Sequence, residues 1–336
     1  MVGPALRQET YTMNSFAFVF PGQGSQAVGM LDAWGDHPAV AETLREASDA
    51  MDVDLASLIH DGPKETLALT TNTQPVMLVA GVAAWRAWLA EGGARPAVVA
   101  GHSLGEYSAL VAAGVLTLAQ AAPLVRFRAE AMQQAVPVGV GAMAAVLGMD
   151  AAKVIAGCAE ATASFGAGST EVVEAVNFND PMQTVIAGSK AAVDKACEIV
   201  KAHGAKRALL LPVSAPFHSS LMKPAAEALR EKLASVTLAA PQIPVLNNID
   251  VAVETDAERI RDALVRQAAG PVRWVESVQA LQARGVEAIV ECGPGKVLVG
   301  MAKRIAPELP AASIYDPATL ADTRQLLNPT HEQTLL

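Results

Sequence analysis

Residues 97–110 read AVVAGHSLGEYSAL, and the fold turns on this stretch. Ala97, Val98, Val99 and Ala100 suit a strand buried on both faces, and Glu106 to Leu110 continue as a helix. Between them Gly101-His102-Ser103-Leu104-Gly105 forms a G-x-S-x-G turn. Glycines there let strand and helix pass close together, while the strained turn lifts the Ser103 hydroxyl clear of the backbone. N–H groups opening the next helix point at any oxyanion formed beside that hydroxyl. The plainer alternative is a glycine-rich turn whose serine caps a helix. A strand before the turn and a helix after it make Ser103 a candidate nucleophile.

The chain of 336 residues is long enough for one large domain or two modest ones. With 51% hydrophobic and 18% charged residues it is globular rather than disordered. No apolar run approaches the roughly 18–20 residues that cross a bilayer, so no membrane partner is expected. No basic segment leads into an apolar core at the N-terminus, so no secretory signal is expected. Cys158, Cys197 and Cys292 are widely spaced and odd in number, matching neither a disulfide framework nor a zinc pattern. A cytoplasmic location is the expectation. A net charge of −9 argues against nucleic acid as a partner.

Phe16-Ala17-Phe18-Val19-Phe20 reads as a buried strand ending in the loop Pro21-Gly22-Gln23-Gly24-Ser25-Gln26. Helical periodicity follows at 39–51, at 75–91 with Gln74-Pro75 marking its start, and at 118–135. This alternation predicts a parallel sheet covered on both faces. From 141 the order becomes strand, helix (150–162), strand (171–176), strand (183–187), helix (191–202), strand (207–213), with Asn177 to Pro181 as a turn. That order is the ferredoxin-like one. Strands at 244–247 and 288–291 return the chain to the main sheet, and a helix near 296–306 follows. The reading is therefore α/β: a parallel-sheet, α/β-hydrolase-like core of residues 13–137 and 214–310, with a ferredoxin-like subdomain inserted at 138–213. Residues 1–12 and 317–336 read as terminal extensions, the latter as a polar tail.

A serine hydroxyl needs a base, most often histidine. Of six histidines, His37 and His60 look like surface turns, His203 ends a charged helix and His331 lies in the tail. His102 neighbours Ser103, but the sharp turn points the two side chains apart. His218 remains, in Ser214-Ala215-Pro216-Phe217-His218-Ser219-Ser220, where the inserted subdomain returns to the core. A packed, hydrogen-bonded loop histidine is the alternative. Asp180 and Asp194 fall between Ser103 and His218 but belong to the insert, so a backbone carbonyl is left to orient the ring. In 118–135, Arg126 lies with Glu130 on a solvated face, whereas Arg128 falls in line with Ala121, Val125 and Met132 on an apolar stripe. An internal salt bridge and a fork for a substrate carboxylate both account for a guanidinium there. The loop at 21–26 can aim a backbone N–H of Gln23 at an acyl oxygen. It matches neither dinucleotide nor P-loop patterns, and no histidine, cysteine and carboxylate cluster has metal spacing.

The set Pro21-Gly22-Gln23-Gly24-Ser25-Gln26, Gln74-Pro75, Gly101-His102-Ser103-Leu104-Gly105-Glu106-Tyr107, Arg128, Asn177-Phe178-Asn179-Asp180-Pro181, Phe217-His218 and Gly293-Pro294-Gly295 resembles one family. It is similar, from about Phe16 to about Ile305, to the malonyl-CoA:acyl carrier protein transacylases of bacterial fatty acid synthesis. These share their fold with polyketide synthase acyltransferase domains. The resemblance implies a malonyl ester on Ser103, His218 as base and acid, and N–H groups of Gln23 and Leu104 as the oxyanion hole. It puts the carboxylate-binding arginine at Arg128 and the carbonyl that orients the histidine at Gln267. Gln74 and Asn179 match site-lining positions, and Phe217 before the histidine favours malonyl over methylmalonyl. The implied partners are malonyl-CoA, as a CoA thioester substrate, and acyl carrier protein, met by a monomer with no bound cofactor. Lys190, Lys195, Lys201, Lys206 and Arg207 form either a docking patch for that acidic carrier or a solvated face. A serine hydrolase and a non-catalytic scaffold are the rival functions.

Overall fold

The computed structural model describes residues 15–328. Its strands are β1 (Phe16–Phe20), β2 (Val98–Gly101), β3 (Gly141–Leu147), β4 (Val173–Asp180), β5 (Gln183–Ser189), β6 (Arg207–Leu210), β7 (Val245–Leu246), β8 (Ala288–Cys292) and β9 (Ala311–Ile314). Five of them form a sheet of order β7-β2-β1-β8-β9, with every neighbouring pair parallel. Parallel neighbours require crossovers, and helices supply them on both faces. Central β1 shows why its sequence is apolar throughout. Phe16, Phe18 and Phe20 face one layer, where Trp85 and Trp88 of the Thr70–Ala90 helix stand 5.5 Å from the Phe18 ring. Ala17 and Val19 face the other, in a cluster with Trp274 and Leu298.

The remaining four strands form an antiparallel sheet of order β4-β5-β3-β6. The Ala151–Ala163 and Lys190–Ala202 helices pack on it through Val154, Cys158, Val193 and Ala196. The chain order is strand, helix, strand, strand, helix, strand. Asn177 to Asp180 belong to β4 rather than to a turn. Main-chain bonds hold them there: Phe178 N donates to Val272 O at 3.0 Å and Val272 N to Val176 O at 2.8 Å. These bonds also fasten the small sheet to the segment that leads into the Trp274–Ala283 helix of the larger layer.

Two further expectations need correction. The helix read from 75 begins at Thr70, with Pro75 in its second turn, where the ring forfeits only one backbone bond. The tail read at 317–336 is, over Pro317–Leu327, a helix capped by Asp316, with Leu320, Thr323 and Leu327 buried. It follows β9, an edge strand the sequence reading did not contain. Residues 329–336, like the extension at 1–12, lie outside the described residues. No helix among the described residues is long and apolar enough to cross a membrane.

Candidate active site

The carboxyl ends of β1, β2, β7 and β8 all open on one edge of the parallel sheet, where α/β folds place ligands. After β2 the chain turns so tightly that Ser103 takes φ +53°. A Cβ on Gly101 would lie 1.9 Å from the Gly105 carbonyl carbon, and one on Gly105 would lie 2.0 Å from the Phe20 oxygen. Both glycines are thus demanded by backbone-to-backbone approach. His218 is likewise left-handed, at φ +67°. Strained non-glycine residues of this kind persist only where their surroundings hold them.

These two strained residues meet. Ser103 Oγ lies 2.7 Å from His218 Nε2. His218 Nδ1 faces the carbonyl oxygens of Gln267 at 2.9 Å and Gly270 at 3.2 Å. Carbonyls only accept, so Nδ1 carries the proton and Nε2 is left to accept the serine hydroxyl proton. Burial, reinforced by the positive charge of Arg128, pushes the His218 imidazole down to about 3. The ring is neutral at neutral pH.

Arg128 lies on the Leu118–Ala135 helix and is 2% exposed. Its Nη1 donates to Gln74 Oε1 at 2.7 Å, and its Nη2 to Gln267 Oε1 at 3.0 Å and Ser103 Oγ at 3.2 Å. Three neutral oxygens therefore serve a full, desolvated positive charge, an arrangement ready for an anion. Arg126, two residues earlier, pairs with Glu130 at the surface. A cavity of about 120 Å³ opens beside Ser103. Gln23, His102 and Arg128 are among its polar lining residues, and Met132, Met143, Leu211 and Phe217 among its apolar ones.

Ser103, His218, Arg128, Gln23 and Phe217 all border this cavity. Leu104, 1% exposed, follows Ser103 directly and opens the Gly105–Ala112 helix. Gln74 and Asn179 are one layer behind the wall rather than on it. Gln74 is fully buried against Arg128 and reaches Gln23 through Thr70 Oγ1. Asn179 Oδ1 holds His102 Nε2 at 2.8 Å. The other histidines stand apart: His37 caps the Pro38–Met51 helix, while His60 and His203 face surface carboxylates. His331 lies outside the described residues.

Comparison with known proteins shows the family. A family model described as an acyl transferase domain matches residues 17–320. The chain belongs to the acyl transferase domain family. A relative in Salmonella typhimurium, a malonyl CoA-acyl carrier protein transacylase, is 53% identical over 310 residues, covering 92% of this chain and 98% of its own. The solved acyl-carrier-protein S-malonyltransferase of Burkholderia pseudomallei superimposes with a TM-score of 0.89 at 64% identity, over 92% of this chain and 99% of that one. A malonyl-transacylase solved with its type II polyketide acyl-carrier protein superimposes with a TM-score of 0.89 at 48% identity, over 94% of this chain and all of that one.

Two polar residues of this acyl transferase, Asn248 and Glu106, were given no role by the sequence reading. Asn248, fully buried after β7, accepts from Ser103 N at 2.7 Å and donates to Gly101 O at 2.7 Å, bracing the nucleophile turn from both sides. Glu106, 2% exposed, accepts from Asn248 N and Gln267 Nε2, each at 2.9 Å. The available signal for Asn248 was its place at the carboxyl end of a parallel strand. For Glu106 it was a carboxylate on a helix otherwise made of small and apolar residues.

Proposed function

We propose that this chain moves a malonyl group from malonyl-CoA to the phosphopantetheine thiol of an acyl carrier protein, carrying it as an ester on Ser103. Ser103 Oγ attacks the thioester carbonyl while its proton passes to His218 Nε2, 2.7 Å away. The oxyanion is met by the N–H groups of Gln23 and Leu104. Collapse breaks the carbon–sulfur bond, and His218 returns the proton to the departing CoA sulfur. The carrier's thiol, deprotonated by His218, then attacks the ester carbonyl, and Ser103 recovers its proton. No resident cofactor takes part.

One observation carries the choice of malonyl: the buried Arg128 guanidinium, served by neutral oxygens only and 3.2 Å from Ser103 Oγ. A free carboxylate at the far end of a short acyl group neutralises it. An acetyl group leaves it unpaired, which is the basis of discrimination. Phe217 narrows the cavity against a methyl branch. Gln267 orients His218 through its carbonyl, in the place a carboxylate holds in many serine enzymes. The names of the relatives support both substrates. The relative solved with a polyketide carrier makes polyketide supply a second reading of the pathway, with the same chemistry.

The fold reading within this proposal is an α/β-hydrolase-like core and a ferredoxin-like insert forming the two walls of the cleft, in a cytoplasmic monomer. Carrier docking falls to the insert's Lys201, Lys206 and Arg207. Lys190 and Lys195 are already paired with Asp194 and Glu198. Incubation with labelled malonyl-CoA, without carrier, tests the mechanism. A stable ester on Ser103 that moves to added carrier is expected, and Ser103→Ala loses it. Rapid release of free malonate, or no labelled protein, overturns the proposal.

A further inference from the structure

The mechanism above leaves the buried carboxyl nearest the nucleophile turn, that of Glu106, unused. It occupies the first turn of the Gly105–Ala112 helix, where the helix dipole favours a carboxylate. Its Oε2 receives two donors, the backbone N–H of Asn248 and the side-chain Nε2 of Gln267, both at 2.9 Å. Gln267 Nε2 also donates to Ser103 O at 3.1 Å. With both amide hydrogens committed, the other end of the amide, Oε1, is turned to Arg128 Nη2 at 3.0 Å. Reversed, the amide would present a donor to a donor.

We propose that Glu106 is a positioning residue that acts through the Gln267 side chain to hold the Arg128 guanidinium at the cavity, and so helps select carboxylated acyl groups. The proposal rests on the reading of Arg128 as the carboxylate fork. Glu106 does not touch the acyl group. It fixes which end of Gln267 faces Arg128, and it keeps an amide between the two charges instead of a direct ion pair. A direct pair would satisfy Arg128 internally and compete with substrate. The amide passes on orientation while leaving the positive charge available.

Burial pushes the Glu106 carboxyl up to about 7, so both protonation states occur near neutrality. Because both donors converge on one oxygen, a proton on the other leaves the arrangement intact. Glutamine is the isostere of that protonated form, with its amide oxygen in the place of Oε2.

The test compares acylation by malonyl-CoA and acetyl-CoA, reporting the ratio of their kcat/KM values with folding followed by thermal melting. Wild-type enzyme must first prefer malonyl, and Arg128→Ala must abolish that preference. Failure there removes the fork itself and is distinguishable from failure of the Glu106 role. Glu106→Leu also unsettles Asn248 and therefore slows both substrates. The malonyl-to-acetyl ratio is the specific readout, expected to fall about tenfold or more as a charged group's hydrogen-bonding partner loses its orientation. Glu106→Gln restores the ratio to within about threefold of wild type, and Glu106→Leu has no further effect on it in an Arg128→Ala background. Should Glu106→Leu not fold, Gln267→Leu cuts the same chain nearer Arg128 while keeping the carbonyl that His218 uses. It is expected to collapse the ratio equally. A parallel fall of both substrates with the ratio unchanged, in whichever of these variants folds, overturns the proposal. So does a Glu106→Gln enzyme whose ratio falls as far as that of Glu106→Leu.

Discussion

Arg128 does more to His218 than share a cavity with it, and replacing it by methionine measures how much. Arg128 Nη2 and His218 Nε2 both contact Ser103 Oγ, at 3.2 Å and 2.7 Å, so they are at most about 6 Å apart. Two unit positive charges at about 6 Å and an effective dielectric of about 20 repel by roughly 3 kcal/mol, or about two pH units. The direction agrees with a His218 lowered to about 3 by burial first and Arg128 second. The base works only when neutral, so the acid limb of kcat/KM reports its proton uptake in the free enzyme. S-acetyl pantetheine is the suitable acyl donor, because it lacks both the malonyl carboxylate and the phosphates of CoA. Wild type should acylate at a constant kcat/KM from pH 8 down to about 4.5. Arg128→Met should bend downward with an inflection near pH 5, about two units above the wild-type value. A wild-type inflection near 6.5 would refute the desolvation of His218. A variant as flat as wild type would refute the charge coupling.

Three other outcomes follow from packing and linkage. Gly105→Ala puts a Cβ 2.0 Å from the Phe20 carbonyl oxygen, with backbone on both sides and no flexible end to yield. Its denaturant midpoint should show a loss of ~3 kcal/mol or more, and a neutral substitution would contradict the close approach. Leu320→Ala, at a 4% exposed position of the Pro317–Leu327 helix, should cost about 2–4 kcal/mol, whereas a solvated tail would lose nothing. Glu291 is fully buried on β8, accepts from Val299 N at 2.9 Å, and has its carboxyl pushed up to about 7 by burial. A carboxyl raised in this way contributes stability that is complete below its unfolded pKa of 4.5 and lost as pH rises through about 7. Glu291→Gln should therefore gain on wild type as pH rises from 5 to 8, by up to ~3 kcal/mol. Parallel stability curves would refute this.

The nucleophile turn was legible because its physics is local. A serine between glycines, a buried strand before it and a helix after it constrain one another within fourteen residues. The place of Arg128 on an apolar stripe was legible for the same reason, since helical spacing alone puts it in line with Val125 and Met132. Polarity misled where tertiary bonds compensate it. Asn177 to Asp180 look like a turn, yet pairing with β5, backed by Val272 on the other side, makes them strand. The 317–327 stretch looks like a tail, yet Leu320, Thr323 and Leu327 find a covered face.

By itself, then, the sequence determined the alternation of buried strands and helices, the strained serine, and which histidine and arginine were candidates to serve it. Whether Arg128 ended in an internal salt bridge or stood open to a ligand was decided only by the folded chain. So was the chain of bonds from Glu106 through Gln267 to Arg128, spanning 161 positions between its first two members. The reason is physical: the conformation of a turn or helix follows from neighbours a few residues away. The partner of a buried charge is whichever polar atom the packing brings within about 3 Å, and sequence spacing holds no record of that distance.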